Sequence, residues 1–301
     1  MNKKVIIITG PTAVGKTAVA IDVAKYFQTE IISADSRQCF HELNIGVARP
    51  SLEELQQVPH HFIASHSIHQ TLSAADFEEY ALNKVAKIFE KNDFVVMAGG
   101  TGLYIKAFMQ GLDAIPDVPS TIRKNISVQY EQKGMEWLKS QLQDMDPLYA
   151  SEGEMQNPQR MMRALEVVTA TQQSILSFRR QQIKQRDFEV IVVQLVLPRE
   201  LLYQRINARV DQMLNQGLLE EVEKLYHSRH LNALQTVGYS EIFDYMEGKF
   251  SIDDSIDKIK QHTRHYAKRQ MTWFKHQLTS ASFHPDDRNG LIDLLRQEMN
   301  Q

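Results

Sequence analysis

Val5-Ile6-Ile7-Ile8-Thr9-Gly10-Pro11-Thr12-Ala13-Val14-Gly15-Lys16-Thr17 is the stretch that decides the fold of this chain. Residues 5–8 are apolar and β-branched, which suits a strand buried on both faces of a parallel sheet. Gly10, Pro11, Thr12, Ala13, Val14, Gly15, Lys16 and Thr17 then satisfy the pattern G-x-x-x-x-G-K-[ST]. A helix follows, with Val19, Ile21, Val23 and Ala24 available for burial. Strand, glycine-bounded turn and helix in this order make a phosphate-binding loop. The glycines let backbone N–H groups turn inward onto phosphate oxygens, and the helix N-terminus adds a positive dipole end. Lys16 contributes a charge, and the Thr17 hydroxyl is the candidate Mg2+ ligand. The motif specifies a polyphosphate and does not by itself specify ATP, so nucleotide binding and ATP binding stay among the expectations. No Asn-Lys-x-Asp guanine signature is present, and the apolar run at 94–98 ends in Gly99, where many ATPases place a carboxylate.

Working outward, strands are expected at 30–33, 61–63, 94–98 and 190–197, with helices at 73–91 and 102–110. Pro116 and Pro119 mark a change of texture, and 120–186 reads as helices only. Helices are expected again at 200–216, 218–226, 239–247 and 252–276, then a surface tail or a small terminal helix. The expected fold is therefore α/β, a P-loop NTPase-like parallel sheet core with an inserted all-helical subdomain. Its expected boundaries are 1–114 for the first part of the core, 115–187 for the insert and 188–301 for the return.

The 301 residues suffice for a substantial core, and 43% hydrophobic content excludes a disordered chain. No apolar run approaches a membrane span, and no secretory-signal pattern precedes the phosphate loop. The lone cysteine, Cys39, excludes a disulfide framework within the chain and a zinc site built on several thiolates. A cytoplasmic monomer is expected.

Asp35 follows the second expected strand, where a carboxylate can reach the phosphate site or can simply close an Asx-turn. The phosphate loop together with Ala34-Asp35-Ser36-Arg37-Gln38 resembles the tRNA dimethylallyltransferase family. So do Gly46-Val47-Ala48-Arg49-Pro50, Gly99-Gly100-Thr101-Gly102-Leu103-Tyr104 and Asn157-Pro158-Gln159-Arg160. Arg163-Ala164-Leu165-Glu166, Thr236-Val237-Gly238-Tyr239, Ala267-Lys268-Arg269-Gln270 and Thr272-Trp273-Phe274 complete the set, in the family's order. The resemblance implies transfer of the dimethylallyl group of dimethylallyl diphosphate to the exocyclic amine of the adenosine 3′-adjacent to the anticodon. It implies Asp35 as general base, with Thr101 and Lys16 also catalytic and Arg205 near the diphosphate. It implies tRNA contacts, in the anticodon stem-loop, from Asp35, Ser36, Arg37, Gln38, Thr101, Arg123, Gln159, Arg160, Met161, Met162, Arg163, Lys268 and Arg269. On residue chemistry alone, Thr101 also suits a helix N-cap, and the polar and cationic residues also suit solvated faces. A small-molecule kinase, an RNA-binding ATPase and prenylation of free adenine nucleotide are the competing readings. Two departures touch the acceptor-side loop: Val47 replaces a common threonine, and Cys39-Phe40 replaces Val-Tyr.

In the last long helix, Ile252, Ile256, Ile259, Tyr266 and Trp273 are expected in the core, opposite Lys258, His262, His265, Arg269 and His276. A metal pair at His262 and His265 is disfavoured by the cations around them. The net charge of −3 conceals two basic segments. Residues 157–186 carry +5, counting Arg160, Arg163, Arg179, Arg180, Lys184 and Arg186 against Glu166, and residues 258–276 carry +6. A near-neutral total is thus compatible with RNA held on a limited face.

Overall fold

A computed structural model describes residues 3–179 and 183–299, so Arg180 of the first basic segment lies outside the described residues. The sheet is wholly parallel, in the order β3-β2-β4-β1-β5-β6. Its strands are β1 (Lys4–Thr9), β2 (Ile31–Ser33), β3 (His60–His61), β4 (Phe94–Gly99), β5 (Glu189–Leu195) and β6 (Ala281–Phe283). β1 lies between β4 and β5, and every one of its residues is buried. The period of two sorts its side chains into two cores: Val5 and Ile7 join one face, Ile6 and Ile8 the other. Each such residue contributes about 1.5–3 kcal/mol on burial, more than a surface ion pair does.

The helices of this unit are α1 (Lys16–Tyr26), α2 (Leu52–Leu55), α3 (Ala74–Phe89), α4 (Gly102–Gln110), α9 (Arg199–Asn215), α10 (Leu218–Lys224), α11 (Ser240–Met246), α12 (Ile252–Gln277) and α13 (Arg288–Met299). Ser73 starts α3 through a reciprocal capping box with Asp76, as its spacing predicts. Because all strands run in one direction, the phosphate loop after β1, Asp35 after β2, Gly99 and Gly100 ending β4, and α9 after β5 all lie at the carboxyl end of the sheet.

The last residues differ from the expected tail. Residues 281–283 pair with β5 as a sixth strand, and α13 buries Leu291 and Leu295 against the core containing Val19 and Val23 of α1. A three-residue strand has no periodicity of its own; it forms because β5 offers an unpaired edge.

The second unit is Gln110–Lys184. It contains α5 (Ser120–Met145), broken at Gly134, then α6 (Pro147–Glu152), α7 (Pro158–Thr171) and α8 (Ile175–Phe178). Its own core includes Leu138, Leu142, Tyr149, Leu165 and Met161. Met161, expected among the tRNA contacts, has no exposed surface here, and its side chain is a core element. The boundary also differs from the expected 115–187. Arg186 belongs to the sheet unit, where its guanidinium bonds Glu78 at 2.9 Å and the carbonyls of Ala107 and Phe108 at the end of α4. A buried carboxylate and helix-terminal carbonyls call for a cation, and Arg186 supplies it. No helix among the described residues is long and apolar enough to cross a membrane.

Candidate active site

The phosphate loop bends through Gly10 (φ 146), Ala13 (φ 64) and Gly15 (φ 104), and Gly15 is the N-cap of α1. Positive φ at Gly15 is what glycine permits at no steric cost. The first-turn N–H groups of α1 have no partners within the helix, so they are available to an anion. Lys16 Nζ donates to the carbonyls of Gly10 (3.0 Å) and Pro11 (2.9 Å). Burial lowers its pKa from 10.5 to about 8; Arg209 adds to that shift and Asp35 opposes it.

Gln270 of α12 staples this loop to the next one. Its Oε1 accepts the Thr12 N–H at 2.8 Å, and its Nε2 donates to the Gly100 carbonyl at 2.9 Å. A Cβ at Gly100 would come within 2.3 Å of that amide nitrogen, and one at Gly99 within 2.2 Å of the Ala34 carbonyl oxygen. The double glycine is therefore a requirement of close approach, and it leaves no room for a carboxylate at the end of β4. Gln270 stands in a family-matched run, but the sequence assigns it no role at the loop; a glutamine on the buried side of an amphipathic helix was the available signal.

Asp35 closes the Asx-turn weighed for it: Oδ1 accepts the N–H groups of Arg37 (2.9 Å) and Gln38 (3.2 Å). Its Oδ2 takes no hydrogen bond from a described residue. The Thr101 side chain binds its neighbour across the site. Its hydroxyl accepts the Ser36 N–H at 3.1 Å and reaches Ser36 Oγ at 3.3 Å. Gln38 Nε2 donates to the carbonyls of Val47 (3.2 Å) and Ala48 (2.9 Å).

Arg205 Nη1 donates to the Val14 carbonyl at 3.4 Å, beside the phosphate loop. Arg209, one turn further along α9, was missed. It has no hydrogen bond or ion pair among the described residues, and burial depresses its pKa against the favourable charge of Glu54. Its i, i+4 spacing from Arg205 was the legible signal. Thr12, Lys16, Thr17, Asp35, Arg209 and Tyr266 line a cavity of about 780 Å³. A second cavity of about 480 Å³ shares Thr12, Asp35, Arg209 and Tyr266, and adds Ser36, Arg37 and Arg269.

α12 keeps Ile259 in the core with Ile256 and Trp273 packed against it, as expected, but Tyr266 departs from that face. Ser255, Ile259, Ala267, Gln270 and Phe274 are buried, while Tyr266 is 36% exposed and lines both cavities. The cations also divide. Lys260 pairs with Asp211 (2.6 Å), Arg264 with Asn207 (2.7 Å) and His262 with Glu241 (2.6 Å). Lys268 and Arg269 stay exposed, and with His265, Thr272, Trp273 and His276 they border an open surface groove. In the helical unit, Asn157 caps α7 through the N–H groups of Gln159 and Arg160, whose side chains are exposed. Arg163 (3.1 Å) and Arg123 (3.6 Å) share Glu166, and Met162 is half-buried.

No group of three or more His, Cys, Asp or Glu side chains that could hold a metal ion occurs among the described residues. The Thr17 hydroxyl is a hard oxygen donor on this cavity, of the kind Mg2+ takes alongside phosphate oxygens and water.

Known proteins resemble this chain along its whole length. The chain is 45% identical to a tRNA dimethylallyltransferase of Flavobacterium johnsoniae, covering 96% of both chains. It is 44% identical to one from Christiangramia forsetii over the whole of both. Among solved structures, the tRNA isopentenylpyrophosphate transferase of Bacillus halodurans aligns over 99% of this chain and 96% of its own, with TM-score 0.72 and 32% identity. A eukaryotic dimethylallyltransferase solved acting on tRNA aligns over 90% of this chain and 70% of its own, with TM-score 0.73 and 26% identity. The IPP transferase family model matches residues 38–277, and this chain belongs to that family.

Proposed function

We propose that this protein transfers the dimethylallyl group of dimethylallyl diphosphate to the exocyclic amine of the adenosine 3′-adjacent to the anticodon in tRNA. One observation carries this reading: a phosphate loop with Lys16 and Arg209 shares its cavity with Asp35. An allylic diphosphate ionises when negative charge on its leaving group is stabilised. Lys16, Arg209 and the α1 N-terminus are placed to do that. The C–O bond breaks with its electron pair leaving on diphosphate, and the adenine nitrogen forms the new C–N bond. That nitrogen must lose a proton, and Asp35 Oδ2 is the acceptor. Thr17 would hold Mg2+, which adds charge neutralisation at the diphosphate. Ser36, Arg37, Gln38 and Thr101 surround the carboxylate, where the flipped base enters. Arg123, Gln159, Arg160, Met162, Arg163, Lys268 and Arg269 are the contacts proposed for the anticodon stem-loop. In this reading the protein works as a cytoplasmic monomer.

The deciding assay incubates the protein with Mg2+, labelled dimethylallyl diphosphate and unmodified tRNA. Label on tRNA adenosine supports the proposal. Label on free adenine nucleotide alone, or turnover of ATP alone, sinks it.

A further inference from the structure

Glu221 of α10 lies outside the reacting groups, yet it gathers three donors from two distant loops. Its Oε2 accepts the Ile45 N–H at 2.8 Å, and its Oε1 accepts the Gly46 N–H at 3.0 Å and the Tyr239 hydroxyl at 2.6 Å. Tyr239 is fully buried, and burial together with the Glu221 carboxylate raises its pKa well beyond the ordinary tyrosine range. The phenol is therefore a permanent donor, and the half-buried carboxylate is compensated by hydrogen bonds. Close packing adds an independent constraint, since a Cβ at Gly46 would come within 2.5 Å of the Tyr239 ring.

The clamped loop continues directly into the site. Val47 and Ala48 line both cavities, and Ala48 is held at φ 48. Their carbonyls take both Gln38 Nε2 bonds, and the Gln38 N–H binds Asp35 Oδ1. On the other side, Glu241 Oε2 accepts the Gly238 N–H at 2.8 Å and ties the Tyr239 loop to His262 of α12. A continuous chain of hydrogen bonds and short backbone segments thus runs from α12 through Tyr239, Glu221, the 45–48 loop and Gln38 to Asp35.

We infer that Glu221, with Tyr239, is a positioning residue for the transfer reaction: it holds the 45–48 wall in place and, through Gln38, fixes the orientation of the Asp35 carboxylate. The inference rests on the proposed function. Near-attack geometry is sensitive to shifts of about 1 Å, so a loosened clamp acts on turnover and not on RNA affinity.

The test measures single-turnover prenylation of tRNA, with tRNA and inorganic diphosphate affinities, for the wild-type chain, Tyr239→Phe and Glu221→Gln. Tyr239→Phe removes one hydroxyl and keeps the ring on Gly46; its rate should fall about tenfold, and that of Glu221→Gln about a hundredfold. Both affinities should stay within about twofold. The rate loss of Tyr239→Phe should vanish in an Asp35→Asn background, a coupling that a merely structural role does not produce. Unchanged rates in an active protein, equal losses in diphosphate affinity, or additivity with Asp35→Asn overturn the inference while leaving the proposed function standing. If Glu221→Gln does not fold, Tyr239→Phe decides alone. A wild-type chain that never labels tRNA removes the proposed function, and the inference with it.

Discussion

The carboxyl end of the sheet and the helical unit both display cations, but they hold them in opposite ways. Around the phosphate loop, Lys16 and Arg209 converge on one cavity, and burial depresses the pKa of both. Along α7, Arg160 is exposed, and Arg163 leans on Glu166 together with Arg123 of α5. The first arrangement concentrates charge at a point where desolvation strengthens it. The second spreads charge over a surface where salt screens it. One suits a leaving group that must be stabilised during reaction; the other suits a polyanionic backbone that must only be held.

The sharpest way to break this contrast is Asp35→Asn. Turnover should fall about 10²–10⁴-fold, while a filter-binding measurement finds tRNA affinity nearly unchanged. A matching loss of affinity would mean that reacting and holding groups are not separate. Arg186→Met comes next. It was counted with the insert's basic run, but it sits beside Glu78 with only 11% of its side chain exposed. Removing the guanidinium should destabilise the sheet unit by about 3–5 kcal/mol in denaturant titration. A change under 1 kcal/mol would return it to the solvated cations.

The pH dependence of diphosphate binding sharpens the contrast further. Lys16 loses its proton near pH 8 in the free protein, so affinity should fall above that pH, approaching about tenfold per unit, as binding must take up a proton. The folded pKa lies below the unfolded 10.5, so the penalty of burying the charge is complete below pH 8 and is relieved as pH rises toward 10.5. Calorimetry of diphosphate binding between pH 7 and 9.5 checks the first statement; a flat profile contradicts it. The smallest effect belongs to the exposed side. Lys268→Ala should weaken tRNA binding uniformly across sequences and reduce the salt slope by about 1, with diphosphate affinity untouched.

Local signals carried much of the fold. The apolar run of β1, the glycine pattern of the phosphate loop and the capping box at Ser73 each bring their own geometry, so they were legible one segment at a time. The candidate site was legible where motif and geometry coincide, at Lys16, Asp35 and Arg205. Gln270 and Arg209 were not. Their importance lies in what faces them, a Thr12 N–H and a shared cavity, and neither neighbour is close in sequence. Met161 differs in the opposite direction, because a residue inside a polar motif turns its side chain into the core.

Residue order by itself determined the parallel α/β core, the glycine-bounded loop after its first strand, the helical insert and the family resemblance. These follow from short-range periodicity and from motifs whose atoms lie a few residues apart. Only the tertiary structure decided the sixth strand, the division of the α12 cations, the removal of Arg186 from the basic face, and the Glu221–Tyr239 clamp. Each of those depends on a partner between 18 and 176 residues away, and such pairings are created by the packing of the sheet and its helices.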